Sequence, residues 1–174
     1  LPPNFAIAHP FDNGDMKVRD EQLLPRPLDS LAVKKDIAMY YGMVSEMDEQ
    51  VGRILEALEK NNLTKNTLII FAGDNGLAVG QHGLLGKQNL YEHSIRVPMM
   101  MAGPGIPKNK HNNGFTYLSD INPTIYEYLH INAPITVEAK SLIPAINNPS
   151  KHIRSNIYNV YGNWSRSIKT EDGF

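Results

Sequence analysis

The sequence predicts an α/β domain. A long run from about Leu31 to Asn61 repeats apolar residues at helical spacing. After it, two short, uniformly apolar runs, Thr67–Ala72 and Val97–Ala102, bracket a Gly-rich loop that carries polar and charged side chains. Helix, strand, long loop with a helical turn, and strand is the order in which α/β layers are built.

The 174 residues suffice for one compact domain with a sizeable core. Hydrophobic residues make up 41% and charged residues 20%, an ordinary globular balance rather than a disordered one. A net charge of −1 provides no global field for nucleic acid or an anionic membrane, so neither is an expected partner. No apolar run approaches the length of a transmembrane helix and none reads as a secretory signal, so membrane insertion is not expected. With no cysteine, the chain has neither a disulfide nor a thiol nucleophile.

Residues 1–30 are dense in Pro, Asp and Asn, as in Leu1-Pro2-Pro3-Asn4-Phe5 and Leu23-Leu24-Pro25-Arg26-Pro27. Pro at that density opposes regular structure, so an extended arm is expected there, with a plain turn at Asp12-Asn13-Gly14. Such an arm reads as the interior of a larger protein. In the helix that follows, Ile37, Tyr40, Val44, Met47, Val51, Ile54 and Leu58 alternate spacings of three and four, which predicts one buried stripe. Asp29 or Ser30 caps its start, and Asn61-Asn62 closes it. Lys35, Glu46, Glu49, Arg53 and Lys60 form its solvated face. The runs at 67–72 and 97–102 fit strands covered on both faces, as in a parallel sheet.

Asp120–His130 reads as a second amphipathic helix, with Ile121, Ile125 and Leu129 buried and Pro123 in its first turn. Residues 131–155 read as loop with a helical turn near Leu142. Ile157–Tyr161 and Arg166–Lys169 read as a hairpin or meander. Asp172-Gly173 is a further turn signal whose partner strand is not in the sequence, which again suggests a larger protein. The organisation expected is therefore an arm (1–30), an α/β portion (31–150) and the start of a small subdomain (151–174).

The chemistry concentrates in residues 73–98. Asp74 and Asn75 follow directly on a strand, where ligands of open α/β sheets gather. A carboxylate beside a carboxamide suits a hard cation, Ca²⁺ or Mg²⁺, whereas Zn²⁺ would recruit more His or Cys. The alternative is a simple Asp-Asn-Gly turn. Gly80, Gly83 and Gly86 permit close backbone approach or positive φ. Lys87 follows them and supplies a point charge for a phosphate or sulfate oxygen, or else is a surface lysine. His82 is a candidate proton carrier or donor to a substrate oxygen, or else a loop histidine with a local partner. Glu92 and Arg96, four apart, pair on a helical turn and hold the loop. His93 is expected to be exposed, and His9, His111, His130 and His152 are expected at the surface.

The segment Gly73–Pro98 (Gly-Asp-Asn-Gly-Leu-Ala-Val-Gly-Gln-His-Gly-Leu-Leu-Gly-Lys through Ser-Ile-Arg-Val-Pro) resembles the second half of a type I sulfatase of the alkaline phosphatase superfamily. Ala38–Leu55 resembles the long helix that precedes the metal strand in those enzymes. Gly103-Pro104-Gly105-Ile106-Pro107 and Asp120–Ile125 resemble the segments that follow, and Val160–Lys169 resembles the start of the small antiparallel C-terminal subdomain. The resemblance implies an alkaline-phosphatase-like three-layer sandwich with a mainly parallel sheet. It implies that Asp74 and Asn75 are two ligands of one Ca²⁺, that Lys87 contacts the sulfate ester, and that His82 lies near the sulfate or the leaving group. The implied substrate is a sulfated carbohydrate or aryl sulfate, and export to the periplasm or medium follows by analogy.

The family's nucleophile is a formylglycine made from Cys or Ser in a Cys/Ser-x-Pro-x-Arg motif. This sequence contains no Cys and no Ser-x-Pro-x-Arg, and His9-Pro10 does not match the family's Ala-Pro-His-x-Pro segment. The nucleophile and the remaining ligands are therefore expected upstream, in a missing N-terminal half. The chain alone is expected to be inactive, and poorly soluble or oligomeric because of an unpaired strand edge. Two other functions compete. One is a phosphomonoester or phosphonate hydrolase of the same superfamily, whose sites often show Asp-His where this chain has Asp74-Asn75. The other is a non-catalytic module that binds a cation and an anion.

Overall fold

The computed structural model describes residues 1–11 and 15–173, so the turn expected at Asp12-Asn13-Gly14 lies outside the described residues. The chain forms two compact units. One comprises Leu1–Thr67 with Asn75–Pro98, the other Leu68–Asp74 with Met99–Phe174.

The first unit is organised by helix α1, Ser30–Lys60. The Asp29 carboxylate accepts from the Ala32 amide at 2.8 Å, the N-cap that the sequence suggests. At the other end Asn62 adopts the left-handed conformation (φ 58), and the Leu63 amide reaches back to the Leu58 carbonyl at 2.8 Å, which terminates the helix. The predicted buried stripe is not buried. Tyr40, Val44, Met47 and Ile54 are exposed, and Ile37, Val51 and Leu58 are half-buried. Helical periodicity establishes that an apolar face exists; what covers it depends on distant elements. Val33, one turn into α1, is fully buried and forms the core of this unit with Leu28 and Leu85, flanked by Phe5, Leu24 and Ile37. The core thus joins the arm, the start of α1 and the Gly-rich loop. The arm itself is less extended than its Pro content suggests, with 3₁₀ turns at Asp15–Lys17 and Arg19–Gln22.

The second unit contains strands β1, Ile69–Ala72, and β2, Met99–Ala102. They pair antiparallel, with Ile69 opposite Ala102 and Ala72 opposite Met99. Their continuous apolar runs, which fit parallel strands, therefore belong here to an antiparallel pair. β1 is half-buried throughout, and β2 alternates between half-buried and exposed positions. A four-residue helix α2, Glu92–Ile95, precedes β2 in the chain and belongs to the first unit.

Helix α3, Ile121–Tyr128, buries Pro123 and Thr124, whereas Ile125 and Leu129 are exposed and Ile121 is half-buried. The expected apolar face gives way to a polar one for a local reason. The Thr124 hydroxyl donates to the Asp120 carbonyl at 2.5 Å and accepts from the Leu142 amide at 2.8 Å, just before helix α4, Ile143–Asn147. Asp120, fully buried, accepts from the amides of Tyr117 (2.8 Å) and Lys140 (3.0 Å) and forms a two-point ion pair with Arg154. The Arg154 guanidinium also lies 4.8 Å from the Tyr117 ring centroid. Strands β3, Asn156–Tyr161, and β4, Ser165–Thr170, form the predicted antiparallel hairpin. The Tyr117 hydroxyl accepts from the Tyr158 amide (2.7 Å) and donates to its carbonyl (3.1 Å), which fastens the hairpin to the turn before α3. Among the described residues, no helix is long and apolar enough to cross a membrane.

Candidate functional site

Gly73 separates β1 from Asp74, so the carboxylate emerges where the strand ends; both Asp74 and Asn75 are exposed. The Asn75 side-chain nitrogen donates to the Gly76 carbonyl at 2.9 Å, so the carboxamide oxygen is the atom with which it would meet a cation. Gly76 fixes this corner. Its amide donates to the Ser94 carbonyl at 2.9 Å, and a Cβ there would lie 1.8 Å from the His93 carbonyl oxygen. Only glycine admits that approach, so residues 75–76 are registered against α2.

The loop that follows is a folded, buried structure. The Ala78 amide donates to the Gly86 carbonyl (3.0 Å) and the Gly80 amide to the Leu84 carbonyl (2.8 Å), and Ala78, Leu84 and Leu85 are buried. Gly83, at φ +74, is a tight spot, because a Cβ would come within 2.3 Å of the Ala8 backbone. The glycines therefore admit the N-terminal arm, a protein partner, where the sequence pattern left a ligand equally open.

His82 stands at the loop tip in the left-handed conformation (φ 53). The arm pins its backbone from both sides. Its amide donates to the Asn4 carbonyl at 2.8 Å, and the His9 Nδ1–H donates to its carbonyl at 2.8 Å. The Asn4 amide nitrogen lies 3.0 Å from His82 Nε2. An amide nitrogen only donates, so Nε2 accepts and the ring proton sits on Nδ1. The imidazole stacks on Tyr91, with centroids 4.4 Å apart. His9 approaches Tyr91 edge-on at 5.9 Å, and His93 stacks on it at 5.7 Å. His9 and His93 are thus both half-buried members of a cluster around Tyr91, contrary to the surface positions expected for them. Burial pushes the His93 imidazole down to about 4, with repulsion from His82 and then His9 adding to the effect. Its Nε2 and Asn89 Nδ2 are buried polar atoms that find no partner among the described residues. His111, His130 and His152 are exposed, as expected.

Lys87 is exposed at the end of the loop. The residues that hold its backbone escaped sequence reasoning. Glu21, buried in the arm, accepts from the Leu85 amide (2.9 Å) and the Gly86 amide (2.7 Å) and pairs with Arg26 at 2.6 Å. The Arg26 guanidinium also donates to the Gly83 carbonyl. Asp20, likewise buried, accepts from Gln88 Nε2 at 3.1 Å. Hydrogen bonds from Arg19 and Gln88 hold the Asp20 carboxyl below its ordinary range, and the charges of Arg19 and Lys87 pull the same way. The Glu92–Arg96 pair does form, at 3.8 Å and largely exposed, a geometry that contributes little stability.

Among the described residues, no three His, Asp or Glu side chains gather into a metal-binding group. Asp74 and Asn75 supply two adjacent hard oxygen donors, chemistry suited to Ca²⁺ or Mg²⁺ but a minority of the roughly six to eight oxygens that Ca²⁺ takes.

Four comparisons bear on this arrangement. The Sulfatase family model matches residues 2–131. A sulfatase from Formosa agariphila is 30% identical over 162 residues, covering 91% of this chain and 32% of that protein. Arylsulfatase K from Rattus norvegicus is 36% identical over 118 residues, covering 68% of this chain and 21% of that protein. A solved structure in complex with its substrate D-glucosamine-2-N,6-O-disulfate superposes with a TM-score of 0.77 at 26% identity, covering 87% of this chain and 33% of that one. The chain thus spans a third or less of the length of each of these relatives.

Proposed function

The chain belongs to the sulfatase family, within the alkaline phosphatase superfamily, and on that premise we propose that it supplies part of the active site of a sulfuric ester hydrolase that releases sulfate from a sulfated sugar or aryl sulfate. Asp74 and Asn75 are two oxygen ligands of a Ca²⁺, with Mg²⁺ as the alternative. When bound, the cation offsets negative charge on the sulfate oxygens. Lys87 adds a positive charge toward the same oxygens, the electrostatic contribution expected to dominate such a transfer. His82, its backbone pinned by the arm and its ring stacked on Tyr91, serves as the proton donor near the sulfate or the leaving group. The attacking oxygen comes from a formylglycine that none of these residues can form, because the chain contains no Cys and no Ser-x-Pro-x-Arg.

The observation that carries this reading is the content of residues 74–87: a carboxylate, a carboxamide, an imidazole and an ammonium on a backbone fixed by named hydrogen bonds. Asn75, where a His would suggest phosphatase chemistry, favours the sulfate ester. The test is turnover of 4-nitrophenyl sulfate by the natural full-length protein with Ca²⁺. Lys87→Ala is expected to lower kcat/KM by about 10²–10³-fold, the range for loss of one charge-stabilising group. No turnover by the wild type, or equal turnover by the variant, overturns the reading.

A further inference from the structure

Two buried carboxylates in the first unit have no part in the chemistry proposed above, yet they hold neighbouring points of one segment, Glu21 at residues 85 and 86 and Asp20 at Gln88. Glu21 accepts from the amides of Leu85 and Gly86, and Gln88 Oε1 accepts from the Lys87 amide at 3.2 Å while its Nε2 donates to Asp20. Successive amides 85, 86 and 87 are thereby anchored to one 3₁₀ turn, Arg19–Gln22, which precedes them by more than sixty residues. Ionised carboxylates are the strongest acceptors a protein can offer backbone N–H groups. Arg26 reinforces the grip by pairing with Glu21 and bonding the Gly83 carbonyl. The approach is close: a Cβ at Gly86 would lie 2.7 Å from Glu21 Oε1. The clamp stops at the Lys87 backbone and leaves its side chain exposed.

We propose that Asp20 and Glu21 are the positioning residues of Lys87, fixing the backbone from which its ammonium reaches the sulfate oxygens; this rests on the reading of Lys87 as the anion contact. Displacing a binding group by about 1 Å costs up to about 10²-fold in rate, so a clamp on its backbone is a lever on catalysis.

The test uses the natural full-length protein with Glu21→Gln, Lys87→Ala and the double variant, assayed for kcat/KM on 4-nitrophenyl sulfate and for amide hydrogen exchange at residues 85 and 86. The expected result for Glu21→Gln is a loss of about 10–100-fold in kcat/KM with Lys87 present and less than about 3-fold with Lys87→Ala. Exchange at 85 and 86 is expected to speed by about tenfold or more. An undiminished effect of Glu21→Gln in the Lys87→Ala background, or unaltered exchange, overturns the proposal, since a merely stabilising residue acts equally in both backgrounds. If Glu21→Gln does not fold, Gln88→Ala replaces it in both backgrounds: a loss confined to the background with Lys87 supports the clamp, and an equal loss in both overturns it. Lys87→Ala without effect on kcat/KM, alongside faster exchange in Glu21→Gln, instead refutes the anion-contact reading and leaves the clamp itself standing.

Discussion

Removing the Asp120 carboxylate tests how the C-terminal hairpin is held. Asp120 is fully buried and Arg154 nearly so, with 11% of its side chain exposed. Asp120→Ala strips acceptors from two backbone amides, Tyr117 and Lys140, and from two guanidinium nitrogens. Breaking one side of such a pair leaves an uncompensated buried charge and costs about 3–5 kcal/mol. At about 1.36 kcal/mol per decade, 3 kcal/mol is a loss of just over 10²-fold in the closed population. Amide exchange across β3 and β4 reads this directly, because Tyr117, Arg154 and the hairpin share one network. Asp120→Ala is expected to raise exchange there by about 10²-fold or more, and adding Arg154→Met is expected to recover part of the loss, since no buried charge then stands alone. A change below about fivefold, or a double variant that simply sums the two losses, would refute the anchoring role.

Three further outcomes follow from other residues. His93 binds its proton near 6.5 when unfolded but only near 4 when folded, so it lowers stability as pH falls from 6.5 to 4 and has no effect above that window. The interval caps the effect at about 3.4 kcal/mol, and screening of a half-exposed ring reduces it to about 1–2 kcal/mol; His93→Leu should flatten a denaturation-against-pH profile in that range, and an unchanged slope would count against the buried imidazole. Gly76→Ala forces a Cβ to within 1.8 Å of the His93 carbonyl and should cost about 10²-fold in kcat/KM on 4-nitrophenyl sulfate, whereas Gly52→Ala, with open space around it, should be silent; equal activity of both variants contradicts the registration of residues 75–76 against α2. The 174-residue chain purified alone should release no sulfate from an aryl sulfate above buffer, having no Cys and no Ser-x-Pro-x-Arg; steady turnover by it would show that the nucleophile had been misassigned.

Local signals proved legible wherever the structure is decided locally. α1 is readable from its spacing and its Asp29 cap, and β3–β4 from the two short runs Ile157–Tyr161 and Arg166–Lys169, because each needs only neighbours in sequence. Burial is less legible. Tyr40 and Ile54 lie on a correct helical stripe and are nevertheless exposed, and α3 turns Thr124 inward because a hydroxyl there closes two hydrogen bonds that Ile125 cannot. The residues proposed for the chemistry are picked out by type and order alone, Asp74-Asn75 after a strand and Lys87 after glycines. Their supports are not. Glu21 sits in a Pro-rich arm whose local pattern gives no hint of a partner 64 or 65 residues away, and His9 joins the cluster at Tyr91 across a similar gap in sequence.

The central claim is that one hard cation is held by residues 74 and 75 while the ammonium at 87 meets the sulfate. A crystal structure of the natural full-length protein with Ca²⁺ and sulfate measures it most directly. The expected result is Ca²⁺ within about 2.3–2.6 Å of a carboxylate oxygen of Asp74 and the carboxamide oxygen of Asn75, and Lys87 Nζ at hydrogen-bond distance, about 2.7–3.2 Å, from a sulfate oxygen. Ca²⁺ bound away from both residues, or sulfate bound with Nζ directed into solvent, would contradict it.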